Sequence, residues 1–298
     1  MNIKAYLFLT LCTLFWSGNF IVGKIATLYD IPPLTLNFYR WFIAFLILAP
    51  FTIKGVLTNL KEIKDNILLL IIMGFTSISV FNSVVYYSLN FTQVLNGVLM
   101  ISTIPVFIIF FSSLFKTEKI KLNQIIGVII SFLGVISIIT KLNFSLLLSL
   151  DLNKGDLWMF VAMISWTTYS ILLGEKKIKL EPFIFLQTII IIGLLFLFPM
   201  YIFEFIYGKK ITINIPVILT IGYVVLFAGI GAYTFWNAAI KLIGPSRCGV
   251  FLHLMPIFSS LMAVFILNEK FSFHHIAGTL LIVIGILLSS NNKISKQF

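Results

Sequence analysis

Ten apolar runs, each close to 20 residues long, divide this chain at short stretches that hold its charges, prolines and polar clusters. An α-helix needs about 20 residues to cross roughly 30 Å of hydrocarbon. Backbone polar groups in lipid need internal partners, so runs of this length predict helices rather than strands. We therefore predict an all-α integral membrane protein with ten transmembrane helices, at residues 5–26, 34–53, 66–87, 94–115, 122–140, 156–174, 183–203, 216–238, 246–267 and 274–290.

Composition supports the membrane class and excludes others. Of the 298 residues, 60% are hydrophobic and 10% are charged, which is too much apolar surface for one soluble core. The formal net charge of +11 is spread between the apolar runs rather than gathered in a patch, so nucleic acid is not an expected partner. The two cysteines, Cys12 and Cys248, lie in or beside apolar runs. They predict neither disulfides nor a metal site, and no motif calls for a cofactor.

One stretch of the chain occurs twice, at 105–134 and 256–285, without a gap. A proline, an acid–base pair and two glycines in register are not expected by chance, even in an apolar chain. Two homologous halves are predicted, 1–145 and 150–290, followed by a tail at 291–298. At an offset of 151 residues the matches are Pro105 with Pro256, Glu118 with Glu269, Lys119 with Lys270, Gly127 with Gly278 and Gly134 with Gly285.

The distribution of Lys and Arg predicts the topology. With the N-terminus inside, 14 of the 21 basic residues fall on the inner side and 6 on the outer side, and Arg40 lies within a span. Both termini are thus predicted to be cytoplasmic. Five spans in each half mean that the second half enters the membrane from the opposite face. Inverted repeats of this kind are common in secondary transporters, where two similar halves expose one central site to either side in turn.

Polar and aromatic side chains recur at matching positions of the two halves. They either line a substrate-binding cavity near the middle of the membrane or form hydrogen bonds between helices. Asn82 and Tyr86 of the third span correspond to Tyr233 and Asn237 of the eighth, so that the pair is exchanged. The candidate substrate-binding residues are Trp16, Asn19, Arg40, Asn82, Tyr86, Asn96, Ser102, Trp166, Tyr169, Tyr233, Asn237 and His253.

Two of these residues have two interpretations each. Arg40 lies about six residues into the second span, and it either faces the cavity, where it would bind a carboxylate, or extends outward to the membrane surface. His253 either relays a proton or serves as a hydrogen-bonded structural histidine.

The repeated stretch itself has structural interpretations. Pro105 and Pro256 interrupt helical hydrogen bonding, either as hinges for alternating exposure or as static kinks. The paired glycines suit close helix packing. Glu118-Lys119 and Glu269-Lys270 fall in short turns, where a capping role is favoured over substrate binding.

All ten acidic residues fall at or beyond the ends of the predicted spans. A buried carboxylate is the most common group for proton or sodium coupling, and none is predicted. This favours facilitated diffusion or exchange over a pump, unless His253 couples transport.

These features together resemble the EamA-type branch of the drug/metabolite transporter superfamily. The resemblance rests on Trp16-Ser-Gly-Asn-Phe, on Asn37-Phe-Tyr-Arg-Trp-Phe-Ile-Ala44 and on the doubled Glu-Lys and glycine pattern, and it covers both halves. It implies ten helices, cytoplasmic termini and a central cavity, and many members export amino acids or related metabolites across the inner membrane. The second half departs from the pattern, since Gln187 and Thr188 stand where the first half has Arg40.

The sequence therefore predicts an alternating-access carrier of a small amphipathic metabolite, with an amino acid, aromatic or otherwise, as the first candidate. Its expected partners are this substrate and the lipid bilayer of the bacterial inner membrane, and a monomer is expected. A drug or nucleoside-like metabolite is the alternative cargo. A channel or a non-transporting receptor or assembly subunit is the alternative of another class. A lipid-modifying enzyme is disfavoured, because no hydrolase, metalloprotease or P-loop motif occurs.

Overall fold

The computed structural model describes residues 2–92, 94–143, 145–148, 153–175, 177–208, 210–267 and 272–290, and within these ranges the regular elements are helices. The long helices are numbered α1 to α10 in chain order. The ninth, α9, is made of three consecutive segments: Pro245–Gly249, the 3₁₀ turn Val250–His253 and Leu254–Leu267. In chain order the other long helices are α1 Ile3–Leu28, α2 Pro33–Thr58, α3 Ile67–Ser88, α4 Gly97–Leu114, α5 Leu122–Ile139, α6 Lys154–Gly174, α7 Pro182–Tyr207, α8 Ile215–Ile243 and α10 Phe273–Ser290. Two short helices, Leu60–Asp65 and Ser145–Leu148, lie in the connections before α3 and before α6.

Among the described residues, eight of these helices, α2 to α8 and α10, are long and apolar enough to cross a membrane. The protein is therefore a multi-pass, all-helical membrane protein. Several helices continue past the apolar runs of the sequence: α2 reaches Thr58, α7 reaches Tyr207 and α8 reaches Ile243. A helix satisfies its own backbone groups, so it can extend into the interfacial region after its apolar run has ended.

Helix starts are fixed by side chains from nearby or distant parts of the chain. The Asn153 side chain accepts hydrogen bonds from the N–H groups of Gly155 and Asp156 at the start of α6. The carboxylate of Glu204, near the end of α7, accepts a hydrogen bond from the Thr35 N–H at 2.6 Å and one from the Thr35 hydroxyl at 2.8 Å. Acidic groups at helix N-termini satisfy unpaired N–H groups and complement the helix dipole.

The helices α5 and α10 pack against each other through the repeated glycines. A β-carbon on Gly127 would lie 2.5 Å from the Gly285 carbonyl oxygen, and one on Gly134 would lie 2.6 Å from the Gly278 oxygen. Only residues without side chains allow the two backbones to approach this closely. The contact joins early residues of one helix to late residues of the other, so the two helices run antiparallel.

The third helix of each half contains a π-helical stretch at the corresponding place. These stretches are Phe75–Phe81 in α3 and Val224–Gly231 in α8. A π-helix widens the hydrogen-bonding turn and often occurs at functional sites. Its consequence here is that carbonyl groups in the middle of α3 and α8 accept hydrogen bonds from side chains of other helices.

Both repeated prolines follow a local departure from α-helical geometry. In α4, Ser102 and Thr103 form a turn just before Pro105, and in α9 the 3₁₀ turn Val250–His253 precedes Pro256. The amide N–H of Val106 bonds to the Thr103 oxygen at 2.9 Å instead of the Ser102 oxygen. The Ser102 carbonyl is thereby available to another partner. Whether the two prolines act as hinges stays a prediction.

Candidate functional site

A cavity of about 60 Å³ lies between the helices near the middle of the structure, with space for a few water molecules. Residues of both halves line it. Its polar lining consists of Asn19, Asn82 and Tyr86, and two indole rings, Trp16 and Trp166, form aromatic walls. Apolar side chains complete the lining: Phe81, Val85, Leu89, Ile101, Ile104, Leu252 and Met255.

The two predicted tryptophans meet at this cavity. The rings of Trp16 and Trp166 are 5.1 Å apart at their centroids and almost perpendicular, at 86°. Tyr233 lies edge-on to both, at 6.1 Å from Trp16 and 5.3 Å from Trp166. Edge-to-face contacts of this kind hold aromatic rings in fixed orientations. The structure therefore brings α1, α6 and α8 together through a single aromatic cluster.

Arg40 faces the protein interior and is 1% exposed. Its Nη1 donates hydrogen bonds to Asn82 Oδ1 at 2.9 Å and to the Tyr86 hydroxyl at 3.1 Å, and its Nη2 donates to the Ala228 carbonyl at 2.7 Å. The guanidinium also lies 5.0 Å from the Trp41 ring centroid. Of the two orientations left open by the sequence, the structure has the interior one, immediately behind two of the lining residues.

Two backbone carbonyls in the π-helical stretches anchor this network. The Ala228 oxygen accepts hydrogen bonds from Arg40 and from the Trp16 indole N–H, at 2.7 and 3.1 Å. The Ser77 oxygen, 151 residues earlier, accepts a hydrogen bond from the Tyr233 hydroxyl at 2.7 Å. The two acceptors occupy the same repeat position. Each bonds mainly to side chains that arise from the opposite half.

Repeat-equivalent residues contact each other at the centre of the structure. The Asn82 amide donates to the Tyr233 hydroxyl at 3.1 Å, and these residues are 151 positions apart. Trp16 with Trp166, and the Ser102 carbonyl with the His253 ring, are two further contacts between equivalent positions of the repeat.

The second-half partners of the three polar lining residues do not line the cavity. The Tyr169 hydroxyl donates to Asn237 Oδ1 at 2.5 Å, and both residues are buried without lining the cavity. Tyr233 is likewise fully buried. Of the predicted site residues, five line the cavity, two (Arg40 and Tyr233) bond to its lining, and Tyr169 and Asn237 lie in the adjoining cluster.

His253 links three helices beside the cavity. Its Nε2 is 2.8 Å from the Ser102 carbonyl oxygen and its Nδ1 is 2.6 Å from the Ser131 hydroxyl. A carbonyl can only accept, so Nε2 carries a proton. The histidine thus occupies the carbonyl made available in α4 before Pro105. The Ser102 side chain is not part of this bond, because it donates to the Val98 carbonyl at 2.8 Å.

The remaining predictions have separate outcomes. The side chain of Asn96 and the Glu269-Lys270 pair lie outside the described residues. Glu118 Oε2 accepts a hydrogen bond from the Ser246 N–H at 3.0 Å, so it caps the start of α9 across the two halves. In the part of the chain that the structure describes, no cluster of three or more His, Cys, Asp or Glu could hold a metal.

Sequence reasoning missed the apolar lining and two flanking tryptophans. Trp41 and Trp236 are fully buried, and Trp236 lies 5.5 Å from Trp16 and 5.7 Å from Trp166. Trp41 follows Arg40 directly, and Trp236 precedes Asn237. For both tryptophans, the position next to a polar candidate residue was the one signal in the sequence that could have indicated a place beside the site.

Comparisons with known proteins agree with this architecture. The sequence profile of the EamA-like transporter family matches twice, at residues 3–140 and 153–291. An uncharacterized transporter of Archaeoglobus fulgidus is 26% identical over 97% of this chain and 98% of its own length. The uncharacterized transporter YyaM of Bacillus subtilis is 24% identical over 97% and 94%.

A solved crystal structure shares the fold. It is 14% identical, has a TM-score of 0.74, and the match covers 96% of this chain and 97% of the other. The two profile matches together include the helices α1 to α10. The chain belongs to the EamA-like transporter family.

Proposed function

We propose that the protein is a secondary transporter that moves a small amphipathic metabolite across the bacterial inner membrane by alternating access. An amino acid or a related compound, exported or equilibrated, is the first candidate cargo. The observation that carries the proposal is the cavity, because residues of both halves line it, among them the facing indoles of Trp16 and Trp166. Such a central site is what a carrier built of two similar halves requires.

The proposal includes ten spans in two inverted five-helix repeats, with both termini in the cytoplasm. In support, α1 contains 26 residues, more than the roughly 20 that cross a bilayer. The segments of α9 follow one another from Pro245 to Leu267. The equivalent helices α5 and α10 are antiparallel, as an inverted repeat demands.

Asymmetry between the halves supports alternating access. The polar first-half residues Asn19, Asn82 and Tyr86 line the cavity, while their second-half counterparts do not and are at most 2% exposed. In an inverted repeat, the opposite state would exchange these roles and expose the second set toward the other side of the membrane. The three exchanging pairs are Asn19 with Tyr169, Asn82 with Tyr233, and Tyr86 with Asn237.

The predicted topology indicates which side of the membrane the cavity lies nearer to in the described conformation. The turn between α4 and α5 is then cytoplasmic, and its Glu118 connects the first half to the start of α9. The cavity instead reaches Leu89, which follows the last residue of α3 on the outer side. We assign the described state to one with its site nearer the outer surface.

Counterflow in proteoliposomes tests the proposal. Vesicles loaded with a mixture of unlabelled amino acids should transiently accumulate a labelled one, and Trp166→Ala should lower the initial rate at least tenfold because it removes one cavity wall. Trp158→Ala is the matched control, since Trp158 is 44% exposed and lines no part of the cavity. Equal rates in the two variants would contradict the site. Absence of counterflow from folded protein would remove the amino acid cargo.

A nucleoside-like or drug-like cargo is the second candidate. The paired indoles of Trp16 and Trp166 favour it, because aromatic walls also stack on flat heterocycles. Labelled nucleosides in the same vesicles separate the two cargo classes. Single-channel recording tests the alternative that the protein is a channel, since a carrier should give no discrete conductance.

A further inference from the structure

We propose that the cargo of this cavity is a monocarboxylate with an aromatic or apolar body and no ammonium group. This inference rests on the proposed carrier function and narrows its cargo at the same site: it keeps the carboxylate of the amino acid candidate and excludes the ammonium group. The geometry that carries it is a buried cation whose hydrogen-bond partners are all neutral, placed directly behind the polar lining of the cavity.

The first step concerns charge. Arginine keeps its proton in proteins, so the 1% exposed guanidinium of Arg40 brings a full positive charge into the membrane interior. Within the described ranges no carboxylate contacts it, and the cavity has no acidic lining. A buried charge is normally paired with an opposite charge. A bound monoanion supplies that partner, whereas a zwitterion brings no net charge and leaves the site positive.

The nearest acid on the adjoining helix is already engaged. Asp156, in the first turn of α6, accepts a hydrogen bond from the Thr92 hydroxyl at 2.5 Å and another from the Asn153 N–H at 2.9 Å. One oxygen therefore caps the start of that helix, and the other bonds to Thr92 after α3. Asp156 does not line the cavity and provides no counter-charge for an ammonium group there.

The second step concerns donors. The Tyr86 hydroxyl accepts from Arg40 and donates to Asn19 Oδ1 over 3.2 Å, which is long for an O–H···O bond. Both Tyr86 and Asn19 line the cavity. A carboxylate oxygen can replace Asn19 as the acceptor, and a charged acceptor makes a shorter and stronger bond. Arg40 then stabilises the anion through the shared hydroxyl.

The third step concerns acceptors for an ammonium group. Asn82 Oδ1 and the Tyr86 oxygen already accept from Arg40, so Asn19 Oδ1, once released from Tyr86, is the one acceptor left in the polar lining. The ammonium of an α-amino acid is attached next to its carboxylate, so binding the carboxylate here also brings the ammonium close to Arg40. Like charges at short range disfavour that complex. The rest of the lining is aromatic and aliphatic, which suits the uncharged body of an acid.

Binding of three ligands with one shared phenylethyl body tests the inference. Isothermal titration calorimetry on the full chain in nanodiscs would compare 3-phenylpropionate, L-phenylalanine and 2-phenylethylamine. We expect a Kd for 3-phenylpropionate at least tenfold below that for phenylalanine, and the weakest binding for the amine. Phenylalanine binding as tightly as 3-phenylpropionate, or more tightly, would overturn the inference.

Variants tie the preference to the cation. Arg40→Lys should keep the order of the three Kd values. Arg40→Gln should bring the Kd values of 3-phenylpropionate and phenylalanine within threefold of each other. Tyr86→Phe, which retains the charge, should weaken 3-phenylpropionate at least fivefold and provides the test if Arg40→Gln does not fold. Gln187→Leu is the matched control in the second half and should leave the order unchanged. An unchanged order in a folded Arg40→Gln protein would also overturn the inference.

Counterflow of the same three ligands separates the two proposals. Exchange of phenylalanine without exchange of 3-phenylpropionate, measured against protein-free vesicles, would refute the substrate class and leave the carrier intact. If folded protein exchanged none of the three ligands, and none of the amino acids or nucleosides tested above, both the carrier function and the substrate class would be refuted.

Discussion

Adding one methyl group to the contact between α5 and α10 should destabilise the protein more than the same change elsewhere. A β-carbon on Gly285 would lie 2.4 Å from the Gly127 carbonyl oxygen and 2.6 Å from the Ser131 nitrogen. Both are backbone atoms, so no side chain can rotate to make room. Since ordinary contacts lie near 3.5 Å, Gly285→Ala requires the two helices to separate by about 1 Å.

This separation sets the expected magnitude. Overpacking of a close contact costs about 1–3 kcal/mol, and the better helix propensity of alanine offsets up to about 1 kcal/mol. The net expectation is a loss of about 1–2 kcal/mol for Gly285→Ala. Gly222→Ala is the matched control, because a β-carbon on Gly222 would meet no atom within 4 Å. That control should be neutral or slightly stabilised.

Reversible unfolding in SDS, followed by tryptophan fluorescence, measures both variants on one scale. The free energy of unfolding of Gly285→Ala should fall below that of Gly222→Ala by about 2 kcal/mol. If Gly285→Ala were as stable as Gly222→Ala, the close approach of the two backbones would be refuted.

Two further substitutions test contacts that join distant parts of the chain. Glu204→Gln removes a charged cap from Thr35 at the start of α2, so unfolding in SDS should show a loss of about 1 kcal/mol. An unchanged free energy would mean that the cap has no energetic weight. His253→Leu leaves the Ser102 carbonyl and the Ser131 hydroxyl without their partner and should cost about 1–3 kcal/mol. Ser102→Ala keeps the carbonyl and should be near neutral; equal losses in the two would contradict the assigned bond.

The helical membrane fold was predictable from the sequence because it depends on simple quantities. Apolar run length determines that helices span the bilayer, and this prediction holds for the eight helices that meet the length and hydropathy requirements. The repeat register placed Trp16 and Trp166, and likewise Asn82 and Tyr233, at corresponding positions of the two halves. That each pair is in contact was visible only in the structure, because a register does not say how the two halves pack together.

Hydrogen-bond partners were not predictable in the same way. Arg40 could have pointed outward, and its inward orientation depends on a carbonyl at Ala228 that only a π-helical stretch makes available. The local sequence Val224–Gly231 carries no signal from which that widening could have been predicted. The same holds for Glu118, whose partner Ser246 lies 128 residues away.

Two acceptors in the central network belong to the main chain, and this affects how divergence among relatives should be read. Any residue that keeps the local helix at Ser77 or Ala228 retains the acceptor, whatever its side chain. A relative at 24–26% identity can therefore preserve these features without sharing a letter at either position. The side chains around the cavity can therefore differ among relatives while the two main-chain acceptor oxygens are retained. Comparing the backbone geometry of relatives will detect these shared acceptors where a sequence alignment does not.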